Sequence, residues 1–106
     1  MTDFKEITTF GEHLRILRES AGLTLKEVAT NNEIDISLLA KIERNERQPT
    51  KEWIKKIANY FNIDETELLN EFLSDQIAYK ILDKESDLSI LKVAEQKIKY
   101  RITKNK

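Results

Sequence analysis

The chain has 106 residues, of which 35% are charged and 40% hydrophobic, enough apolar material for one small folded core. Eighteen Lys and Arg residues against nineteen Asp and Glu residues give a net charge of −1, which is not the strongly basic balance typical of a nucleic-acid binder. The absence of cysteine excludes disulfides and thiolate metal sites, and no apolar run approaches the ~20 residues of a membrane span. The opening MTDFKEITTF lacks the basic and apolar segments of a secretion signal, so we expect a cytoplasmic protein that does not engage a membrane.

Two glycines and one proline favour helices joined by short turns, and capping residues mark where these helices begin. The first two helices are predicted to start at Thr9 and Thr24, because each threonine is followed three residues later by a glutamate, the spacing of a capping box. The first helix is expected to end at Gly22 in left-handed geometry. Later helices are expected to start at Asp35, at Thr50, at Asp64 and, after a break between Asp83 and Asp87, just before Leu88. The sequence therefore predicts an all-α fold of five to six short helices.

The carboxyl-terminal part of the chain is predicted to extend a helical domain formed by residues 1–63. Residues 64–106 are expected to pack on that domain and to mediate dimerisation, because the segment 68–81 is apolar on more than one face and needs cover on two sides. The last helix could fold back over this segment, or a second copy of the chain could cover it. We expect both. The candidate dimer contacts are Trp53, Leu68, Phe72 and Leu91; for Trp53 an ordinary core position is the favoured alternative.

The spacing of the second and third helices points to function. Only residues 30–34 separate them, too few for antiparallel packing, so a short helix, a tight turn and a crossing helix are predicted. In such a helix-turn-helix the second helix lies in the major groove of DNA. Residues 41–56 include six basic and three acidic side chains, whereas residues 64–75 include five acidic and no basic ones. The chain can thus have a basic surface in one region although its net charge is close to zero.

From about Phe10 to Ile63 the sequence resembles the lambda-repressor-like, Xre-type helix-turn-helix regulators. The matching residues are Arg18, Gly22-Leu23-Thr24, Glu27-Val28-Ala29, Ile34, Leu39, Lys41-Ile42-Glu43-Arg44, Glu46-Arg47, Pro49-Thr50, Ile54, Ile57-Ala58 and Ile63. Within the family the chain looks most like the short regulators found beside restriction-modification and methyltransferase genes. The resemblance implies a homodimer that binds double-stranded DNA to control transcription, most simply as a repressor or autoregulator.

The resemblance also implies roles for individual residues. The base-facing positions of the third helix are Ile36, Ser37, Ala40 and Lys41. The positions expected near phosphate, at the starts of helices two and four and after helix three, are Thr24, Lys26, Arg44, Arg47, Thr50 and Lys51. Arg18 and Glu43 match an ion pair that braces helix one against helix three. The sequence departs from the family where Leu25 replaces the usual Gln and where Glu33 and Asn45 replace common glycines.

No residue pattern indicates catalysis, a metal site, a cofactor or a small-molecule ligand, so we expect no enzyme. His13 is the single histidine, and the acidic start of helix five fits the dipole of a helix amino terminus. Two other functions stay open. One is an antitoxin-type regulator that also binds a protein toxin, and the other is a protein-interaction module that has lost DNA binding, which the apolar Leu25, Ile36 and Ala40 would suit.

Overall fold

A computed structural model describes residues 8–104, and within that range the chain forms six helices and no strand. The helices are α1 (Phe10–Ser20), α2 (Leu25–Asn32), α3 (Ile36–Glu43), α4 (Lys51–Tyr60), α5 (Glu65–Asp83) and α6 (Ile90–Lys104). The all-α prediction is confirmed, although α5 with 19 residues and α6 with 15 are longer than the short helices expected. The amino-terminal segment used in the secretion-signal argument lies mostly outside the described residues. No helix in residues 8–104 combines the length and apolar character needed to cross a membrane.

The helices begin where the capping residues predicted. The hydroxyls of Thr9 and Thr24 each accept a hydrogen bond from the amide of the glutamate three residues on. The carboxylate of that glutamate accepts in turn from the threonine's own amide, so both capping boxes are confirmed. The side chains of Asp35, Thr50 and Asp64 cap α3, α4 and α5 by accepting from backbone amides at 2.9–3.1 Å. The predicted start of the sixth helix is wrong by two residues. The Asp87 carboxylate accepts from the Ser89 amide at 3.0 Å and forms a turn that contains Leu88, so α6 starts only at Ile90.

Five helices end on a residue with left-handed backbone geometry, and this keeps the links short. The residues are Gly22, Glu33, Asn45, Asn62 and Glu85, with φ between 53° and 71°. After each of them, the next amide donates to the carbonyl five residues earlier, as Leu23 does to Arg18 at 3.1 Å. The left-handed end predicted at Gly22 is confirmed. The other four ends carry a Cβ in this conformation, which costs free energy that glycine would not.

The chain divides into two compact units, Met1–Asp75 and Gln76–Lys106. In the first unit α1 and α2 pack against α3, and α2 also packs against α4. The buried core of this unit consists of Phe10, Leu14, Val28, Ala29, Leu39, Ile42, Trp53, Ile54, Ile57, Ala58 and Leu68. The second unit contains the end of α5 and all of α6, and no residue of α6 is buried.

Candidate DNA-binding surface

Helix α3 buries one side and exposes the other. Leu39 and Ile42 are 2% and 1% exposed and face the core. Three of the four residues expected to face bases are exposed, namely Ile36, Ser37 and Lys41, and Ala40 is half-buried. Because positions three and four apart lie on one face of a helix, these four residues form one surface. That surface offers one cation, one hydroxyl and two apolar side chains.

An ion pair fixes the last residue of α3 to α1. The guanidinium of Arg18 donates from Nε and Nη2 to the two carboxylate oxygens of Glu43 at 2.7 and 3.0 Å, and from Nη1 to the Leu23 carbonyl at 3.0 Å. The side chains of Arg18 and Glu43 are only 12% and 6% exposed. The hydrogen bonds to Glu43 raise the pKa of Arg18 above its already high value, against a smaller opposing effect of burial. The pair is therefore bidentate, and its burial limits screening by solvent.

A second set of contacts fixes the end of α3 to the start of α1. The Asn45 side chain accepts from the Gly11 amide at 3.1 Å and donates to the Thr9 hydroxyl at 2.9 Å. A Cβ atom on Gly11 would lie 2.5 Å from the carbonyl oxygens of both Ile42 and Glu43. The first turn of α1 therefore rests directly on the backbone at the end of α3. Sequence reasoning missed these contacts, and the only signal was a glycine in the first turn of a helix, where it has no conformational purpose.

The six residues expected near phosphate are all exposed: Thr24, Lys26, Arg44, Arg47, Thr50 and Lys51. Two of them are already engaged as caps, since the hydroxyls of Thr24 and Thr50 accept from the amides of Glu27 and Trp53 at 3.0 and 3.1 Å. The Thr24 amide donates to the Glu27 carboxylate at 2.8 Å. Phosphate binding at the start of α2 would therefore fall to the next amides and to the Lys26 side chain rather than to Thr24.

Arg44 has an acidic partner. Its Nε and Nη2 donate to the carboxylate of Glu46 at 3.0 and 3.1 Å, and these hydrogen bonds lower the pKa of Glu46. The two side chains are 57% and 54% exposed, so water and salt screen the pair strongly. Because a guanidinium carries five N–H donors, the contact with Glu46 still leaves donors of Arg44 for another acceptor.

The two departures at the ends of α2 have different structural consequences. Leu25, where the family usually has Gln, is half-buried and packs against the core, so it supports folding. Glu33, in the turn before α3, has φ 54°, the left-handed geometry that explains the glycine common at this position.

The four residues suggested for a dimer contact lie in different surroundings. Trp53 and Leu68 belong to the core and are 8% and 1% exposed. Phe72 is half-buried and its ring stands edge-on to that of Phe10, with centroids 5.2 Å apart. Leu91 in α6 is 45% exposed. Of these four side chains, Leu91 offers the largest surface to a second copy.

His13 pairs with an acid instead of joining a cluster of metal ligands. Its Nδ1 contacts the carboxylate of Glu71 in α5, and this hydrogen bond raises the pKa of His13 against the opposing effect of partial burial. Among the described residues, no group of three or more His, Cys, Asp or Glu side chains could hold a metal ion. His13 therefore helps to hold α1 to α5 within the first unit.

The arrangement of α1 to α4, with α3 crossing α2 and exposing one face, defines a helix-turn-helix domain. A family model described as a helix-turn-helix domain matches residues 11–71 of the chain. The HTH-type transcriptional regulator DdrOP3 of Deinococcus deserti is 36% identical over 69 residues, which cover 63% of this chain and 54% of that protein. The chain thus spans about half the length of the curated relative that it matches. It belongs to the helix-turn-helix domain family, as the resemblance to Xre-type regulators implied.

Proposed function

We propose that the protein is a dimeric transcriptional regulator that binds double-stranded DNA through α3. The observation that carries the proposal is the exposed face formed by Ile36, Ser37, Ala40 and Lys41 on a helix whose other face is locked into the core. A helix held in this way fits the width of the major groove, where base edges present distinct hydrogen-bonding patterns. The name of the relative from Deinococcus deserti, a transcriptional regulator, supports the same function.

The basic side chains in and after α3 support DNA as the ligand, although the net charge of the whole chain is −1. Residues 41–56 contain six basic side chains and three acidic ones, and one of these acids, Glu43, is consumed by its ion pair with Arg18. Phosphate neutralisation by Arg44, Arg47 and Lys51 would supply much of the affinity and make it depend on salt. Occlusion of a promoter is the simplest output, and autoregulation beside restriction-modification or phage-like genes would agree with the sequence resemblance.

The chemistry of the α3 face sets the mode of recognition. Ile36 and Ala40 can contact thymine methyl groups, and Lys41 and Ser37 supply the hydrogen bonds to base edges. A surface with two hydrogen-bonding side chains discriminates less sharply than one with four. Sequence-dependent shape and deformability of the DNA would therefore contribute a large part of the specificity.

Two alanine variants separate base reading from phosphate binding. Lys41→Ala is expected to lower discrimination between a duplex selected by the wild-type chain and a random duplex, at a cost of about 1–3 kcal/mol in specific binding. Arg47→Ala is expected to weaken binding to both duplexes alike and to reduce the slope of log affinity against log salt by about one. Fluorescence anisotropy across a salt series measures both effects.

Arg15→Ala is the matched control, because Arg15 is an exposed arginine on α1 outside the basic segment and pairs with Glu19. It should bind both duplexes like the wild type. If Lys41→Ala and Arg47→Ala also behaved like the wild type while the parent bound DNA, the assignment of the α3 surface would be wrong.

A homodimer is proposed because no residue of α6 is buried. All of its residues are exposed, including Leu91 and Ile98 at 45% and 58%. An uncovered helix of about 15 residues is marginal in water, since helices gain most of their stability by packing an apolar face. Leu91, Ala94 and Ile98 follow the three-and-four spacing of such a face. A helix-turn-helix dimer reads two half-sites about 10 base pairs, or a multiple of that, apart.

Ile98→Glu is expected to convert the dimer into a monomer, because it places a charge within the proposed apolar contact. Light scattering coupled to gel filtration should give twice the chain mass of 12.5 kDa for the wild type and the single mass for the variant. Gln96→Glu introduces the same side chain two positions away, where a helix points in nearly the opposite direction, and should remain dimeric. A wild-type monomer, or a dimeric Ile98→Glu variant, would remove α6 as the dimer contact.

A further inference from the structure

We infer that Asn45 is a positioning residue for DNA recognition, because its side chain holds the end of the α3 helix to the start of α1. The inference rests on the proposed function and concerns a residue that touches neither base nor phosphate in it. Asn45 lies between α3 and the proposed phosphate contact at Arg47. Its geometry therefore bears on how the base-facing residues are aligned with the phosphate-facing ones.

The contacts of Asn45 use both ends of its amide. Oδ1 accepts from the Gly11 amide at 3.1 Å, and Nδ2 donates to the Thr9 hydroxyl at 2.9 Å. The Gly11 amide is one of the first amides of α1, which have no partner inside the helix. The neighbouring amides are satisfied separately, Phe10 by Asp75 at 3.2 Å and Glu12 by Thr9 at 3.1 Å. Asn45, just after the end of α3, thus completes the amino-terminal cap of α1.

The backbone of Asn45 makes the choice of residue informative. It has φ 62° and closes α3, since its own amide donates to the Ile42 carbonyl at 3.0 Å. Glycine would satisfy this left-handed geometry at lower conformational cost. Asn62 has the same residue type in the same left-handed geometry at the end of α4. What distinguishes Asn45 is that its side chain also bonds the Gly11 amide and the Thr9 hydroxyl of α1.

The two attachments of α3 to α1 differ in what they control. The ion pair of Arg18 with Glu43 is buried, so its disruption would leave a charge in the interior and destabilise the domain strongly. Asn45 is exposed, so its contacts contribute less to stability than the buried ion pair does. They restrain the backbone immediately before residues 46–50, which lead to α4 and include Arg47. Binding sites lose affinity when such supporting contacts loosen, because ordering the site then costs entropy on binding.

Asn45→Gly tests the inference, with Asn62→Gly as a matched control. Asn62 ends α4 with φ 59° and an exposed side chain, so the control makes the same substitution in the same backbone geometry at another helix end. Asn62→Gly should raise the thermal midpoint by about 4 °C and leave DNA binding unchanged. Asn45→Gly should gain less in the midpoint and bind the selected duplex about five-fold more weakly, the factor of one ordinary hydrogen bond.

The specificity ratio distinguishes positioning from a general structural role. Asn45→Gly should leave affinity for random duplex and the salt slope unchanged, because the phosphate contacts remain, so the ratio of selected to random binding should fall. All measurements use the full chain well below its thermal midpoint. A variant that bound the selected duplex as tightly as Asn62→Gly would overturn the inference. Failure of the wild-type chain to enrich any duplex from a random pool would instead overturn the proposed function.

Discussion

Replacement of Gly11 by alanine is expected to destabilise the first unit by about 3 kcal/mol or more, the upper range for overpacking a folded core. The added Cβ would lie 2.5 Å from the backbone carbonyl oxygens of Ile42 and Glu43 and 2.7 Å from Oδ1 of Asn45. Two of these three atoms are backbone, so the clash is relieved only if α1 and α3 move apart. That movement would also weaken the hydrogen bond from the Gly11 amide to Asn45.

Gly22→Ala is the control for this prediction. No atom lies within 4 Å of the Cβ position at Gly22, so the substitution adds only the conformational cost of a φ of 71°. We expect a loss of about 1 kcal/mol there. Urea unfolding followed by far-ultraviolet circular dichroism compares the two variants with the wild type. Equal losses at Gly11 and Gly22 would show that α1 does not approach α3 as closely as described.

The second large effect is expected for Arg18→Ala, which should lower the free energy of unfolding by about 3 kcal/mol. The Glu43 carboxylate, whose side chain is 6% exposed in the pair, loses its cation, and the hydrogen bond to the Leu23 carbonyl is lost as well. An unpaired charge in such surroundings costs far more than the pair contributes. Because Glu43 is the last residue of α3, the loss falls on the helix that carries the proposed DNA surface.

Arg15→Ala provides the comparison for Arg18→Ala within the same helix. Arg15 pairs with Glu19 one turn away at 3.0 Å, but the two side chains are 63% and 53% exposed. Its removal should cost at most about 0.5 kcal/mol. The double variant Arg18→Met with Glu43→Met should recover part of the stability lost in Arg18→Ala, since neither charge is then left alone. An Arg18→Ala variant as stable as Arg15→Ala would contradict the account of α3 anchoring.

Local signals predicted the fold well. Capping residues such as Thr9 and Asp35 identify helix starts because their side chains satisfy amides two or three residues away, an interaction contained within a few residues of sequence. Gly22 identified a helix end through an equally local effect, because glycine adopts left-handed backbone geometry without the cost of a Cβ. The error at Leu88 was also local, since an aspartate at position 87 can cap a helix directly or begin a turn before it.

The contacts between helices could not be predicted in the same way. Asn45 and Thr9 are 36 residues apart, and Phe10 and Asp75 are 65 apart, so nothing in their local sequence links them. The pair of Arg18 with Glu43 was expected only through resemblance to a known family. The segment 68–81 was predicted to need cover on two sides, but periodicity does not say which surface covers it.

The net charge of −1 gave no indication that residues 41–56 are rich in basic side chains. Glu43 and Glu46, counted as acids of residues 41–56, are each engaged by an arginine, one in a buried pair and one in an exposed pair. Cations such as Arg47 and Lys51 are exposed beside them. The surface that DNA would meet is therefore governed by which side chains are exposed and paired, and only the structure distinguishes these.

The central claim is tested most directly by binding the wild-type chain, with its mass established by light scattering, to the duplex upstream of its own gene across a salt series. The account predicts a dimer whose affinity falls steeply as salt rises and remains above its affinity for random duplex at each concentration. A dimer without DNA affinity at low salt would contradict it. That result would favour a protein-interaction module whose partner binds the apolar face of α3.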